Sequence, residues 1–231
     1  MKYIKNLFLS LSKFELFLWL FSVFCVTASF LLADGFNPLT LAASLIGVTS
    51  LILVAKGYVA GQVLMVIFSL LYAVISLEYR YYGEMITYLG MTAPIAVMTA
   101  VSWYKHPYKG TREVAVSSLS GKHKFFLVVL TAAATLVFHF ILKAFDTPNL
   151  MLSTLSIATS FCAAYLTLFR SPVYAVAYAA NDLVLVSLWV LASFSALSFI
   201  PVVICFAIFF VNDIYGFLSW HKMKIRQTSD I

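Results

Sequence analysis

The sequence alternates between long apolar segments and short polar ones. Eight segments approach the roughly 20 apolar residues that a membrane-spanning helix needs. The apolar runs are continuous and lack the alternation of strands in a membrane β-barrel, so we expect an all-α integral membrane protein. The predicted spans are Leu16–Ala33, Leu39–Ala55, Tyr58–Leu77, Met85–Trp103, Phe125–Leu142, Leu150–Phe169, Val173–Leu191 and Phe199–Trp220.

The basic residues predict how these spans are oriented. With eight spans, 13 of the 15 lysines and arginines fall in segments on one side of the membrane, and only Arg80 and Lys143 fall on the other. Basic residues are enriched in cytoplasmic loops. We therefore expect a multi-pass protein of the cell (plasma) membrane with both termini in the cytoplasm.

The composition agrees with a membrane protein and excludes several other classes. Apolar residues make up 63% of the 231 residues and charged residues only 10%, against about 25% charged in a soluble domain. The net charge of +6 resides in short loops, which makes it a topology signal and not a nucleic-acid footprint. Cys25, Cys162 and Cys205 all lie inside apolar spans, so we interpret them as small apolar residues and not as disulfides or metal ligands.

The longest polar stretch, from Tyr104 to Lys124, divides the chain into two halves with similar order. In each half a helix containing Thr-Ser is followed by a tight basic turn, and the last helix ends at a tryptophan, Trp103 or Trp220. We predict two parallel three-helix repeats, residues 39–104 and 150–221. A cytoplasmic loop and linker helix (105–149) joins them, an extra helix (1–38) precedes them and a cytoplasmic tail (222–231) follows. A substrate path is expected between such repeats, near the midplane.

Two carboxylates interrupt the apolar pattern of the last two spans. Asp182 and Asp213 each follow an asparagine, Asn181 and Asn212, inside a segment long enough to cross the membrane. A charged side chain at the centre of a membrane helix costs about 2.5–3.5 kcal/mol on insertion scales, so it normally faces a partner, a cavity or a substrate path. We predict a polar ligand site between these helices.

Other side chains extend this predicted site. Helical spacing places Tyr178, Asp182 and Trp189 along one stripe of the seventh span, and Asn212 and Tyr215 along one stripe of the eighth. Amides and hydroxyls hydrogen-bond polar ligands, and aromatic faces stack on flat or cationic rings. The candidate substrate-binding residues are Asn181, Asp182, Trp189, Asn212, Asp213, Tyr215, Tyr178, Thr49, Tyr72 and Tyr88.

A purely structural interpretation stays open for several of these residues. Polar groups between membrane helices often only join them, at about 0.6 kcal/mol each on average, and this interpretation stays open for Asn212 and Asp213. Trp103 and Trp220 are interpreted as interfacial residues, and Pro94 is expected to loosen the fourth span. We recognise no catalytic, nucleotide-hydrolysing or metal-binding motif, so neither an enzyme nor a bound cofactor is expected.

The motifs around these residues resemble those of the PnuC family of vitamin transporters. The most specific match is the segment VNDIYGFLSWHK at residues 211–222, supported by Asn181-Asp182 and by Tyr82-Gly83-Glu84-Met85. The resemblance implies a SWEET-like fold of two three-helix bundles, a trimeric assembly, and facilitated diffusion of nicotinamide riboside with trapping by cytoplasmic phosphorylation. It assigns ligand contacts to Asn181, Trp189 and Asn212, and extends this role to Asp182, Asp213 and Tyr215.

The chain also departs from the family pattern. Some members carry an amide near Phe68 or two residues after Pro94, where this chain has Ala96, so the ligand is expected to be bound differently here. Two alternatives therefore stay open: a carrier of the same fold for thiamine or another small vitamin or nucleoside, and a substrate-binding subunit of an ATP-driven importer. The absence of Lys and Arg at the depth of Asn181 disfavours a phosphorylated ligand.

Overall fold

The computed structural model describes residues 7, 9–33, 37–78 and 82–230. Among these residues, eight helical segments are long and apolar enough to span a membrane, which confirms the predicted number. Lys2, Lys5 and Arg80, which are among the basic residues that predict the orientation, lie outside the described residues. The α-helices are α1 (Lys13–Leu32), α2 (Pro38–Ala55), α3 (Val59–Glu78), α4 (Tyr82–Thr87), α5 (Ala93–Lys105), α6 (Gly121–Ala144), α7 (Leu150–Leu168), α8 (Tyr174–Ser193) and α9 (Ile200–Ser229).

The fourth span is interrupted, as Pro94 predicted. Helix α4 passes through a π-helical turn, Tyr88–Thr92, before it continues as α5. The turn ends where the Ala93 N–H donates to the Tyr88 carbonyl, five residues back. Pro94 has no N–H to continue the α-helical ladder, and π turns of this kind often occur at functional sites. The interruption places Tyr88 and Thr92 on the interior of the bundle.

The helices pack in two groups. Helix α3 packs against both α2 and α4/α5, and helix α8 packs against both α7 and α9. The groups meet where α9 packs on α2 and where α5 packs on α7, so the last helix of each group contacts the first helix of the other. Each group comprises the helices of one predicted three-helix unit, and the repeat relationship itself stays a prediction.

The two remaining helices lie at the periphery. Helix α6 packs mainly on α7 and buries only Leu142, while Phe125, Val128, Leu136 and Phe140 are exposed along it. An exposed apolar helix of this length belongs in lipid. Helix α1 packs against α2 and α9, so it covers the junction between the two groups.

Helices α2 and α7 end in the same way. Gly57 (φ 68°) and Arg170 (φ 57°) both adopt the left-handed conformation just after the helix. The residue after each of them donates its N–H to a carbonyl of the last helical turn, as in a Schellman cap. Glycine takes this conformation freely, whereas Arg170 takes it at some conformational cost. We call this side of the bundle, where α2, α5, α7 and α9 end, the basic end.

The loop between α5 and α6 crosses the basic end. Val114 is buried and donates its N–H to the Gly57 carbonyl, while Ser117 donates to the Arg170 carbonyl. The Gln227 side chain on α9 donates to the Val114 carbonyl and accepts a hydrogen bond from the Val116 N–H. The loop is therefore hydrogen-bonded to the turn after α2, to the turn after α7 and to the end of α9.

Candidate ligand-binding site

A narrow cavity lies between the two groups of helices. Its volume is about 70 Å³, which is room for a few water molecules and less than the roughly 300–1,000 Å³ of a ligand pocket. Both halves of the chain contribute to it. The polar residues that line this central cavity are Glu84, Thr87, Tyr88, Thr92, Ser156, Ser160, Tyr178, Asn181, Asp182 and Asp213.

Asp182 and Asp213 lie at the centre of this site. Both carboxyl groups are buried, line the cavity and lie close enough to interact directly across the α8–α9 interface. The Oδ2 atom of Asp182 has no hydrogen-bond partner. A buried acceptor without a partner costs about 1–3 kcal/mol, so this oxygen is available to a donor that enters the cavity.

The amide of Asn181 is held in place by the preceding helix. Its Oδ1 atom accepts a hydrogen bond of 2.8 Å from the Thr159 hydroxyl on α7. Tyr178, one helical turn before Asp182, lines the same cavity. The structure thus brings together four of the predicted residues, Tyr178, Asn181, Asp182 and Asp213, on one wall.

Aromatic side chains form the apolar part of the lining. Tyr88 on the π turn lines the cavity together with Phe68, Phe206 and Phe209. Tyr72 lies behind Tyr88, with ring centroids 4.5 Å apart, and does not line the cavity. A planar ligand in the cavity would therefore meet aromatic rings as well as carboxyl and amide groups.

Trp189 lies at a second cavity, which we call the outer cavity. This space of about 170 Å³ is at the end of the bundle opposite the basic end. Trp189 is buried there beside Phe199, with ring centroids 5.4 Å apart. Glu84 lines both the outer and the central cavity, so the two spaces adjoin at this carboxylate.

Asn212 and Tyr215 contact helix α1 and not the central cavity. Asn212 donates from Nδ2 to the Ser22 hydroxyl at 3.0 Å and to the backbone carbonyl of Ile208. Tyr215 donates to Glu15 at 2.8 Å. These bonds correspond to the structural interpretation that the sequence left open for Asn212, in which polar groups join helices.

Thr49 has a similar placement. It accepts a hydrogen bond of 3.1 Å from the Trp19 indole on α1. Glu15, at the start of α1, also forms an ion pair with Lys56 at 3.2 Å. Helix α1 is thus bonded to both groups of helices through residues that the sequence analysis placed in the ligand site.

The basic end of the central cavity is closed by large side chains. Trp103, Trp220 and Tyr174 are each no more than 1% exposed and pack together. The prediction that the two tryptophans are interfacial residues is therefore wrong. Their placement follows from contacts between the two groups, which the sequence pattern does not encode.

Glu84 is the main site residue that sequence reasoning did not include among the candidates. The segment around it was recognised as a motif, but no role was given to its carboxylate. A signal was present, since Glu84, Tyr88 and Thr92 recur every four residues at the start of an apolar span. Such spacing predicts one polar stripe along a helix face.

These features define a class of protein, namely a helical membrane carrier with an internal polar site. The sequence profile of the family described as "Nicotinamide mononucleotide transporter" matches residues 37–222. The chain belongs to this family.

Two relatives agree with this assignment. The protein named "Nicotinamide riboside transporter PnuC" from Neisseria mucosa is 24% identical over 201 residues, which is 84% of this chain and 76% of the relative. A solved structure described as "Crystal structure of the Vitamin B3 transporter PnuC" superposes with a TM-score of 0.79 at 23% identity, over 94% of each chain. This likeness shows that the fold is shared.

Proposed function

We propose that this protein carries nicotinamide riboside across the plasma membrane by facilitated diffusion. The observation that supports this most is the unpartnered Oδ2 atom of buried Asp182 at a cavity with an aromatic wall. Nicotinamide riboside combines a cationic ring, hydroxyl donors and a carboxamide. The carboxyl groups offset the ring charge, Asn181 bonds the polar groups, and Tyr88 stacks on the ring.

The cavity supports a ligand without a phosphate. None of the residues that line the central cavity is a lysine or an arginine, whereas phosphates in proteins are normally bound by such cations or by helix N-termini. Two buried carboxyl groups would repel a phosphate. The riboside therefore suits this chain better than the mononucleotide that gives the family its description.

The narrow cavity implies that side chains move when the ligand binds. At about 70 Å³ the space is too small for a riboside, and the basic end is closed by Trp103 and Trp220. We infer that transport exchanges this closed arrangement for one that is open to the cytoplasm. Both termini are assigned to the cytoplasm from the distribution of basic residues. Phosphorylation of the riboside in the cytoplasm would trap it there. As the resemblance to the family implies, the chains would assemble as trimers.

Thiamine is the second candidate because it too has a cationic ring. One observation favours a ligand other than the riboside. Phe68 lines the central cavity, at a position where some family members carry an amide. If that amide binds the carboxamide in those proteins, this chain lacks the contact.

Uptake into liposomes that contain only the purified protein tests the proposal. We expect accumulation of nicotinamide riboside to the external concentration, no dependence on an imposed proton or sodium gradient, and tighter binding by calorimetry than for the mononucleotide or thiamine. Uptake by the protein alone would also exclude an importer subunit that needs an ATP-driven partner. Stronger binding of thiamine, or no uptake without a partner, would overturn the proposal.

A further inference from the structure

The outer cavity has the composition of a binding site for a cationic ring. Its apolar part is the Trp189–Phe199 pair, and its polar part consists of Glu84 with nearby hydroxyl and amide groups from Thr147, Asn149 and Ser195. An indole face attracts a cation by about 0.5–2 kcal/mol. At about 170 Å³ it is also larger than the central cavity.

Glu84 is held firmly at the junction of the two cavities. The preceding residue, Gly83, packs so closely that an added Cβ would lie 2.4 Å from Leu142 and 2.5 Å from the Thr147 hydroxyl. Thr87 adds a hydrogen bond to the Gly83 carbonyl. The start of α4 is therefore fixed against α6 and the loop that follows it, and this fixes the position of the Glu84 backbone.

The Glu84 carboxyl group forms no ion pair in the described part of the chain. The ion pairs found there join Lys56 to Glu15 and Arg226 to Glu113, both at the basic end. No lysine or arginine lines either cavity. In a space shielded from bulk water, one carboxylate acts on a cation more strongly than it would at an open surface.

A polar stripe leads from Glu84 into the central cavity. Thr87, Tyr88 and Thr92 follow it on the same side of α4 and the π turn, and all of them line the central cavity. A ligand that leaves the outer cavity would therefore pass Glu84 first and then meet Tyr88 and Asp182 in the central cavity.

We propose that Glu84 and Trp189 form an outer binding site, where the cationic ring of the substrate binds before it reaches Asp182 and Asp213. This inference rests on the proposed function and adds a selectivity step to it. Glu84 attracts the ring charge and Trp189 stacks on the ring. The outer site thus selects positively charged planar ligands and raises their rate of arrival at the central cavity.

The test compares two forms of one substrate that differ in charge. Purified Glu84→Gln protein in liposomes is assayed with nicotinamide riboside and with its reduced dihydropyridine form, whose ring is uncharged. We expect kcat/KM for the cationic form to fall about tenfold and that for the reduced form to change less than twofold.

Two variants serve as controls. Glu78→Gln removes an exposed carboxylate at the same end of the bundle, from the last residue of α3, and should leave both substrates unaffected. Glu84→Asp keeps the charge and should retain most of the uptake of the cationic form. If Glu84→Asp retains uptake while Glu84→Gln loses it, the loss is due to the missing carboxylate and not to misfolding after substitution at this position.

The outcomes distinguish this inference from the proposed function. Equal uptake by Glu84→Gln and wild type for both forms, or an equal loss for both forms, would overturn the outer site while the central site stands. If wild type transports neither form, the proposed function fails, and the outer site fails with it.

Discussion

Trp103 and Trp220 contact each other, and each donates a hydrogen bond to the group of helices to which it does not belong. Their ring centroids are 5.3 Å apart at an interplanar angle of 44°. Trp103 Nε1 donates to the Thr167 carbonyl on α7 at 3.0 Å, and Trp220 Nε1 donates to the Val54 carbonyl on α2 at 2.9 Å. The last helix of each group thus bonds the end of the first helix of the other.

The serines that precede the tryptophans repeat this reciprocal pattern. Ser102 donates to the Leu168 carbonyl at 3.2 Å, and Ser219 donates to the Ala55 carbonyl at 2.7 Å. All four acceptors lie in the last turn of a helix, where backbone carbonyls lack the usual intrahelical partners. The Val54 and Thr167 carbonyls also accept backbone N–H groups from the turn that follows their helix, and the side-chain bonds add a link between the groups that holds the basic end closed.

A double-mutant cycle measures this coupling. We expect Trp103→Phe and Trp220→Phe each to lose one indole hydrogen bond, worth about 1 kcal/mol, while the ring contact is retained. Trp103→Ala with Trp220→Ala should show a further coupling of about 0.5–1.5 kcal/mol from the ring pair. Thermal unfolding in detergent reports both quantities. Strictly additive alanine effects would contradict direct coupling of the rings.

The Asp182 carboxylate should matter more for uptake than the Trp220 indole N–H. Asp182→Asn keeps the size of the side chain but removes the charge that faces a cationic ring, so we expect uptake of nicotinamide riboside to fall about tenfold or more. Trp220→Phe leaves the cavity walls intact and should lower uptake only a few-fold. Initial rates in liposomes, normalised to reconstituted protein, give the ranking. Near-normal uptake in both variants would refute it.

Asn212 is expected to affect stability and not ligand affinity. It is fully buried and bonds Ser22 on α1, away from the lining of the central cavity. Asn212→Ala should lower the thermal stability by an amount that corresponds to about 1 kcal/mol, with the Kd of the ligand unchanged within twofold. Ser22→Ala is the matched control, since it removes the acceptor of the same bond. A large rise in Kd for Asn212→Ala alone would restore its assignment as a ligand contact.

The sequence predicted the number of membrane-spanning helices because apolar length is a local property. The Asn181-Asp182 pair was also predictable, since a carboxylate in the middle of an apolar span needs a physical reason. Asn212 and Tyr215 share that polar character, and they contact α1 instead. Which face of a helix meets a cavity depends on its neighbours, and a single sequence does not contain that information.

The roles of Glu84 and the tryptophans illustrate the same limit. Glu84 is two residues inside its helix and appears interfacial in the sequence, yet it lies where two cavities adjoin. Trp103 and Trp220 have the positions of interfacial residues but are buried, because the two groups of helices close over them. Both features follow from how the groups pack and not from the pattern of any one span.

The π turn before Pro94 supplies the last prediction. Tyr88 and Thr92 line the central cavity at the two ends of the turn where the fourth span departs from regular α-helical geometry. Pro94→Ala restores a backbone N–H, which allows the ladder to continue and rotates these side chains relative to the cavity. We expect uptake to fall several-fold while the thermal stability is maintained or raised.

Pro38→Ala is the control for this substitution. Pro38 occupies the first position of α2, where the N–H has no intrahelical acceptor, so its replacement should leave uptake unchanged. Comparing ligand affinity with the rate of uptake then locates the effect. Because Tyr88 contacts the ring in the proposed site, Pro94→Ala should raise the Kd as well as lower the rate. Unchanged affinity together with unchanged uptake would show that the π turn has no part in binding.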